Sequence, residues 1–326
     1  MSKTWAATLA AVALTLTACG GGGNDTDGAA DTTPSADGEP RTVTVGMLPI
    51  LPTAALYAGI EQGFFEEQGL ELEIQEGQGG AALLPAVVSG QMEFATSNPV
   101  SLLQAREQGL DVRAIAHWTS THTTGEDASA VVAPEASGIE TAADLSGKTV
   151  AVNTLSGMGG LTIREAVRQD GGDPGSVNFV ELGFPDMPAA LEAGNIDAAW
   201  VPEPFITIVL ASGGNVVTYP GQESVPGHPT QMFFTSGELV ESDPELVESM
   251  TAAINETLEY AEANPDAIRA AVPQVLEMDP ALLEEVRMEA FGSDLRREQI
   301  TQLGELMLQD GLLEEEADVE GLLPAT

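Results

Sequence analysis

Trp200 and Glu203 close the run Ala198-Ala199-Trp200-Val201-Pro202-Glu203-Pro204-Phe205, an indole and a carboxylate at the end of an apolar stretch. An indole there stacks on a flat or alkyl solute, or fills a core. A carboxylate there receives an amino group, or caps the helix that follows. Four further segments invite a ligand: Leu51-Pro52-Thr53, Gln78-Gly79-Gly80-Ala81, Asn98-Pro99-Val100-Ser101 and Ser156-Gly157-Met158-Gly159-Gly160. Each falls where a strand is expected to turn into a helix. Glycine lets backbone N–H groups approach a ligand closely, and a helix N-terminus carries about half a positive charge. An anion can thus be held without Lys or Arg. The candidate ligand-binding set is Pro52, Thr53, Gln78, Gly79, Gly80, Asn98, Pro99, Ser156, Gly157, Trp200, Glu203 and Phe205.

Other chemistries fail on their spacing. Ser146-Gly147-Lys148-Thr149 ends like a phosphate-binding loop, but Ala142 stands where the upstream glycine is required, and the segment enters a strand rather than leaving one. His117 and His122 are spaced in a loop near Glu126, yet no third ligand completes a metal set. No serine-nucleophile elbow and no cysteine cluster is present. Neither a metal nor a cofactor is expected, and no residue is assigned a catalytic role.

The elements that must position these residues occur twice. Thr42-Val43-Thr44-Val45-Gly46, Leu70-Glu71-Leu72-Glu73-Ile74 and Gly90-Gln91-Met92-Glu93-Phe94-Ala95 are echoed, about 105 residues on, by Thr149-Val150-Ala151-Val152-Asn153, Val177-Asn178-Phe179-Val180 and Gly194-Asn195-Ile196-Asp197-Ala198-Ala199. Each copy reads strand, helix, strand, helix, strand, the pattern of an α/β unit with a parallel sheet. Two such lobes enclose a cleft, and ligands in open α/β sheets lie beyond the carboxyl ends of the strands. Ala130-Val131-Val132 and Gln231-Met232-Phe233-Phe234 read as strands crossing between lobes. The boundaries are lobe I at 41–133, lobe II at 134–228, and 229–326 as the return crossing with C-terminal helices packed on lobe I. From Asp243 onward the chain reads as helical, with an Asp-Pro start.

The first eighteen residues read as a signal peptide: Lys3, a short apolar run from Trp5 to Leu16, then small residues before Cys19. From Gly20 to Pro40 the chain has too little apolar surface to fold and reads as a tether. Acidic residues number 51 against 11 basic, a net charge of -40, which excludes nucleic acid and anionic lipid as partners of the folded body. The acids are scattered over helix faces and read as a solvated surface.

Leu48 to Phe65, Gly77-Gln78-Gly79-Gly80, Ser89 to Ala95, Asp144 to Val152 and Ala193 to Phe205 together resemble the nitrate/sulfonate/taurine-type solute-binding proteins of ABC importers. That group shares its fold with pyrimidine-synthesis proteins of thiamine metabolism. Leu16-Thr17-Ala18-Cys19 resembles a bacterial lipobox. The resemblance implies an α/β, two-lobed, periplasmic-binding-protein-like (type II) fold: two doubly wound, mainly parallel sheets joined by a two-crossing hinge. It implies a monomer at the outer face of a membrane, held only by a lipid on Cys19, that hands a small solute to ABC permease subunits. An organosulfonate or taurine-like zwitterion is expected first, an aminopyrimidine or nitrate second. A pyridoxal-phosphate-dependent synthase needs a cleft lysine, and Lys148 starts a strand at the end away from the cleft. A sensor or adhesin lobe needs a fused signalling or wall-binding segment. The binding protein is therefore preferred.

Overall fold

The computed structural model describes residues 40–324. The expectations for the signal peptide, Cys19 and the tether up to residue 39 lie outside the described residues. The strands are β1 (Arg41–Met47), β2 (Leu70–Glu76), β3 (Phe94–Ser97), β4 (Val112–Ser120), β5 (Ser129–Pro134), β6 (Thr149–Val152), β7 (Asn178–Glu181), β8 (Ala198–Pro202), β9 (Gly214–Thr218), β10 (Pro229–Ser236) and β11 (Ala290–Phe291). One sheet runs β11-β4-β10-β3-β1-β2, the other β7-β6-β8-β5-β9.

The echo in the sequence is an echo in topology. In lobe I, β1 lies parallel to β2 and β3; in lobe II, β6 lies parallel to β7 and β8. Both sheets are mixed, because each takes one strand from across the hinge. β5 runs antiparallel to β8 and β9, and β10 antiparallel to β3 and β4. A chain leaving one sheet at its cleft end must enter the other at its cleft end, and so runs against the strands already there. The crossings are therefore the loop 121–128 and the segment 219–228, which contains the short helix Pro220–Ser224. Ser129–Pro134 belongs to lobe II, several residues earlier than the boundary expected from sequence.

Local chemistry explains the elements that face the cleft. Val43 and Val45 of β1 are fully buried while Thr42 is exposed, the alternation of a strand with one covered face. The helix Leu51–Gln62 starts with proline in its first turn and stops at Gly63, whose φ of 88° suits glycine. The helix Pro244–Ala263 is capped by the Asp243 side chain on Leu246 N, and it buries Leu246, Met250, Ile254 and Leu258 in lobe I.

The remainder of the C-terminal region is neither wholly helical nor confined to lobe I. The segment Pro280–Glu285 packs on the lobe II helix Phe205–Ala211, where Thr207 Oγ1 lies 3.3 Å from Glu285 O. The chain then returns to pair β11 with β4. His117 Nδ1 bonds Gly292 O, and His122 Nε2 lies 2.9 Å from Met288 O, so the two histidines tie this segment down. Among the described residues no group of His, Cys, Asp or Glu could hold a metal, and no helix is long and apolar enough to cross a membrane.

Candidate functional site

At the hinge, beyond the carboxyl ends of the strands, the lobes enclose a cavity of about 30 Å³. Its apolar wall is Ile50 from lobe I with Met158, Phe184, Trp200 and Pro202 from lobe II. Its polar wall is Ser129 from β5, His228 from the return crossing, Thr230 and Gln231 from β10, and Glu289 from the C-terminal segment. A larger opening of about 780 Å³, between β4 and the helix Pro244–Ala263, touches Arg113 and Ile115 at the far end of β4. The smaller cavity is the better candidate, because buried polar atoms without protein partners converge there. Trp200 and Gln231 both line it, and Trp200 Nε1 and Gln231 Oε1 are both buried without a partner. Buried polar groups are nearly always paired, so donors and acceptors left open in one enclosed space mark a place built for a polar solute.

The lobes are drawn together around it. Leu51 N donates to Glu203 O at 3.0 Å across the cleft. A methyl group on Gly79 would stand 3.0 Å from Asn153 Nδ2 of lobe II, and one on Gly183 would stand 2.6 Å from Gln78 Oε1. A cavity of this size holds a water or two, so a solute enters only when the lobes part.

Four carboxylates ring the hinge, and they differ in their partners. Glu203, fully buried, accepts from Thr207 N and Oγ1 at 3.1 Å each and from Arg287 N and Nη1 at 3.2 Å each. Burial pushes its carboxyl above the ordinary value while these bonds pull it back. Arg287 Nη2 reaches Glu126 Oε1 at 3.4 Å. Asp127 Oδ1 accepts from His122 N at 3.1 Å and Ala128 N at 2.9 Å, while its Oδ2 is buried without a partner; burial pushes this carboxyl up to about 6. Glu289 accepts from Thr230 Oγ1 at 3.0 Å, and burial pushes it up to about 7. His228 lies 2.9 Å from Val225 O through Nδ1, and burial holds it down at about 4, so its ring is neutral at pH 7.

Of the residues singled out in the sequence, Trp200 is brought to the cavity. A methyl group on Gly159 would stand 2.6 Å from its ring, which explains a glycine in the first turn of the helix Met158–Gln169. Phe205 backs the wall, stacked on Phe184 at 6.3 Å. Gln78 and Gly79 meet lobe II at the rim, and Gly157 N-caps the helix behind Met158. Gly80 is packed against Ser97, whose buried Oγ has no partner. The others have structural partners. Thr53 Oγ1 donates to Leu48 O at 2.5 Å, the Pro52 carbonyl accepts from Trp118 Nε1 at 3.2 Å, and Asn98 caps Ser101 N at 3.0 Å with Pro99 following. Ser156 is exposed. Glu203 corrects the expectation most: its carboxylate is held by protein donors and is not open to a ligand amine.

The match with known proteins follows the same stretch. Residues 52–268 match the NMT1/THI5-like family. The chain belongs to that family. It is 27% identical over 215 residues to the taurine-binding periplasmic protein of Escherichia coli, covering 65% of this chain and 64% of that protein, slightly under two thirds of its length. It is 26% identical over 273 residues to the formylaminopyrimidine-binding protein of Halalkalibacterium halodurans, 79% of this chain and 78% of that one. The alkanesulfonate-binding protein SsuA from Xanthomonas axonopodis superposes with a TM-score of 0.74 at 18% identity, over 88% of this chain and 99% of that one. The fold is that of periplasmic binding proteins. These relatives are binding proteins rather than enzymes.

The family match stops at residue 268, and the charged residues that sequence reasoning missed lie beyond it. Arg287 is a cleft arginine where none was expected. The only local signal is Val286-Arg287-Met288-Glu289, buried Val286 and Glu289 flanking half-buried Arg287 and Met288. That pattern does not say which lobe it faces.

Proposed function

We propose that this member of the NMT1/THI5-like family is an extracytoplasmic solute-binding protein that captures a small solute between its lobes for an ABC importer. The observation that carries the reading is the interlobe cavity, with an aromatic wall and the open groups Trp200 Nε1 and Gln231 Oε1. In this reading the protein works as a monomer, tethered through a lipid on Cys19, and the solute is a taurine-like zwitterion. The neutral donor Trp200 Nε1 suits a sulfonate, and the acidic hinge suits an amine. Arg287 is already paired with Glu203 and Glu126, which disfavours a multiply charged anion. The named relatives support the same class of solute. An aminopyrimidine is the second reading, favoured by the wall in which Trp200 and Phe184 lie 5.8 Å apart.

Calorimetry with taurine, ethanesulfonate, nitrate and aminopyrimidine tests the reading. Binding of one of them, weakened about tenfold or more by Trp200→Ala, is the expected result. Full affinity in that variant would place the solute elsewhere. Cys19→Ala should release the protein from washed membranes, since two acyl chains anchor stably where one is marginal.

A further inference from the structure

We infer that Glu289 accepts a hydrogen bond from a ligand N–H, so that the solute recognised here carries an amine or amino group. The inference rests on the solute-binding reading above and names the chemistry that the cavity selects. Glu289 is the one carboxylate among the residues lining the cavity. It is 7% exposed and, among the described residues, enters no ion pair. Thr230 Oγ1 donates to its Oε2, and the Thr119 hydroxyl lies 2.7 Å from that of Thr230, which leaves the carboxylate with neutral partners.

Charge around the hinge makes the point from the other side. Asp127 and Glu203 lie close enough for their negative charge to raise the proton affinity of Glu289. Across the cavity His228 is neutral at pH 7. Arg287, two positions before Glu289 in the chain, is held by Glu203 and Glu126. Arg296 approaches the crossing at Gly227, but among the described residues no Lys or Arg lines the cavity. An enclosed space lined by a carboxylate and by no cation favours a solute that brings positive charge or N–H donors with it. Trp200 Nε1, buried without a partner, remains for the other end of the solute.

Protons report which form of the solute binds. A protonated amine draws Glu289 into its ionised form, so its binding releases protons and tightens as pH rises toward about 7, by at most about tenfold per unit. A neutral amino group does not require that release.

The test is calorimetry on the full chain with two matched pairs: taurine against ethanesulfonate, and aminopyrimidine against pyrimidine. The wild type should prefer the amino member of one pair at least tenfold. In Glu289→Gln that preference should shrink by about ten- to a hundredfold, the worth of a charge-assisted hydrogen bond. A ratio of two affinities in one variant cancels a general loss of active protein. Should Glu289→Gln fail to fold, the pair preference of the wild type from pH 6 to 8 still decides. An unchanged ratio in the variant, or a wild type that prefers ethanesulfonate or pyrimidine, overturns the role of Glu289 and leaves the solute-binding reading standing. A folded wild type that binds none of the four compounds and no nitrate overturns both.

Discussion

Two buried carboxylates flank the same hinge and behave as opposites. Glu203 has four hydrogen bonds from Thr207 and Arg287, joining the start of a lobe II helix to the C-terminal segment. Glu289 faces the cavity with a hydroxyl donor from Thr230. The first is a structural clasp. The second is a group whose environment is completed by whatever enters the cavity. Burial raises both, so a shifted carboxyl alone does not distinguish a clasp from a binding group. The partners do.

The clasp should give the largest effect. Arg287→Ala leaves the fully buried Glu203 without its cation, and breaking such a pair costs about 3 to 5 kcal/mol. Urea denaturation should register a loss of that size. A loss under 1 kcal/mol would mean that the pair contributes little, and the contrast with Glu289 would collapse.

Glu289 should give a smaller, pH-dependent effect in the ligand-free protein. Its folded value of about 7 stands above the ordinary 4.5, so the stability it contributes is complete below about 4.5 and is lost as pH rises toward 7. Asp127 acts in the same direction between 3.8 and about 6. His228, held at about 4 against an ordinary 6.5, acts in the opposite direction, adding stability as pH rises through that window. The difference between Glu289→Gln and wild type isolates one group. It should shift in favour of the variant across pH 4.5 to 7, by at most about 1.4 kcal/mol per unit. A difference that stays constant over that range would show that Glu289 is not buried as described.

How far each half of this contrast was legible in the sequence follows from where its partners lie. The repeated strand-helix pattern announced two lobes, and the Trp200 to Phe205 run announced a strand end at the cleft, because both signals are local. Hydrogen bonds to Glu203 from Arg287 span 84 residues, and the one from Thr230 to Glu289 spans 59. No short-range pattern encodes such pairings. The motif that stood out was therefore left open between recognising an amine and capping a helix, while the plain segment that delivers Glu289 was read as helix. The sheets are mainly parallel as expected, but which strands oppose the rest was not legible: β5 and β10 read as ordinary strands, and their direction is set by the hinge.

The rim offers the smallest expected effect. Gly79 has an extended backbone that any residue adopts, and a methyl group there would press on Asn153 of the other lobe at 3.0 Å. Gly79→Ala should hinder closure and weaken the compound identified by calorimetry severalfold, with melting temperature nearly unchanged. Equal affinity in the variant would remove the rim contact from the account.

Trp200 reports most directly on the central claim that the solute sits between the lobes. The chain has three tryptophans; Trp118 is fully buried in the core of lobe I, whereas Trp200 lines the cavity. In a variant carrying Trp5→Phe and Trp118→Phe, emission comes from Trp200 alone. Titration with the compound identified by calorimetry should change that emission saturably, with the calorimetric Kd. Heat of binding with no change in Trp200 emission would contradict the account, because the solute would then lie outside the interlobe cavity.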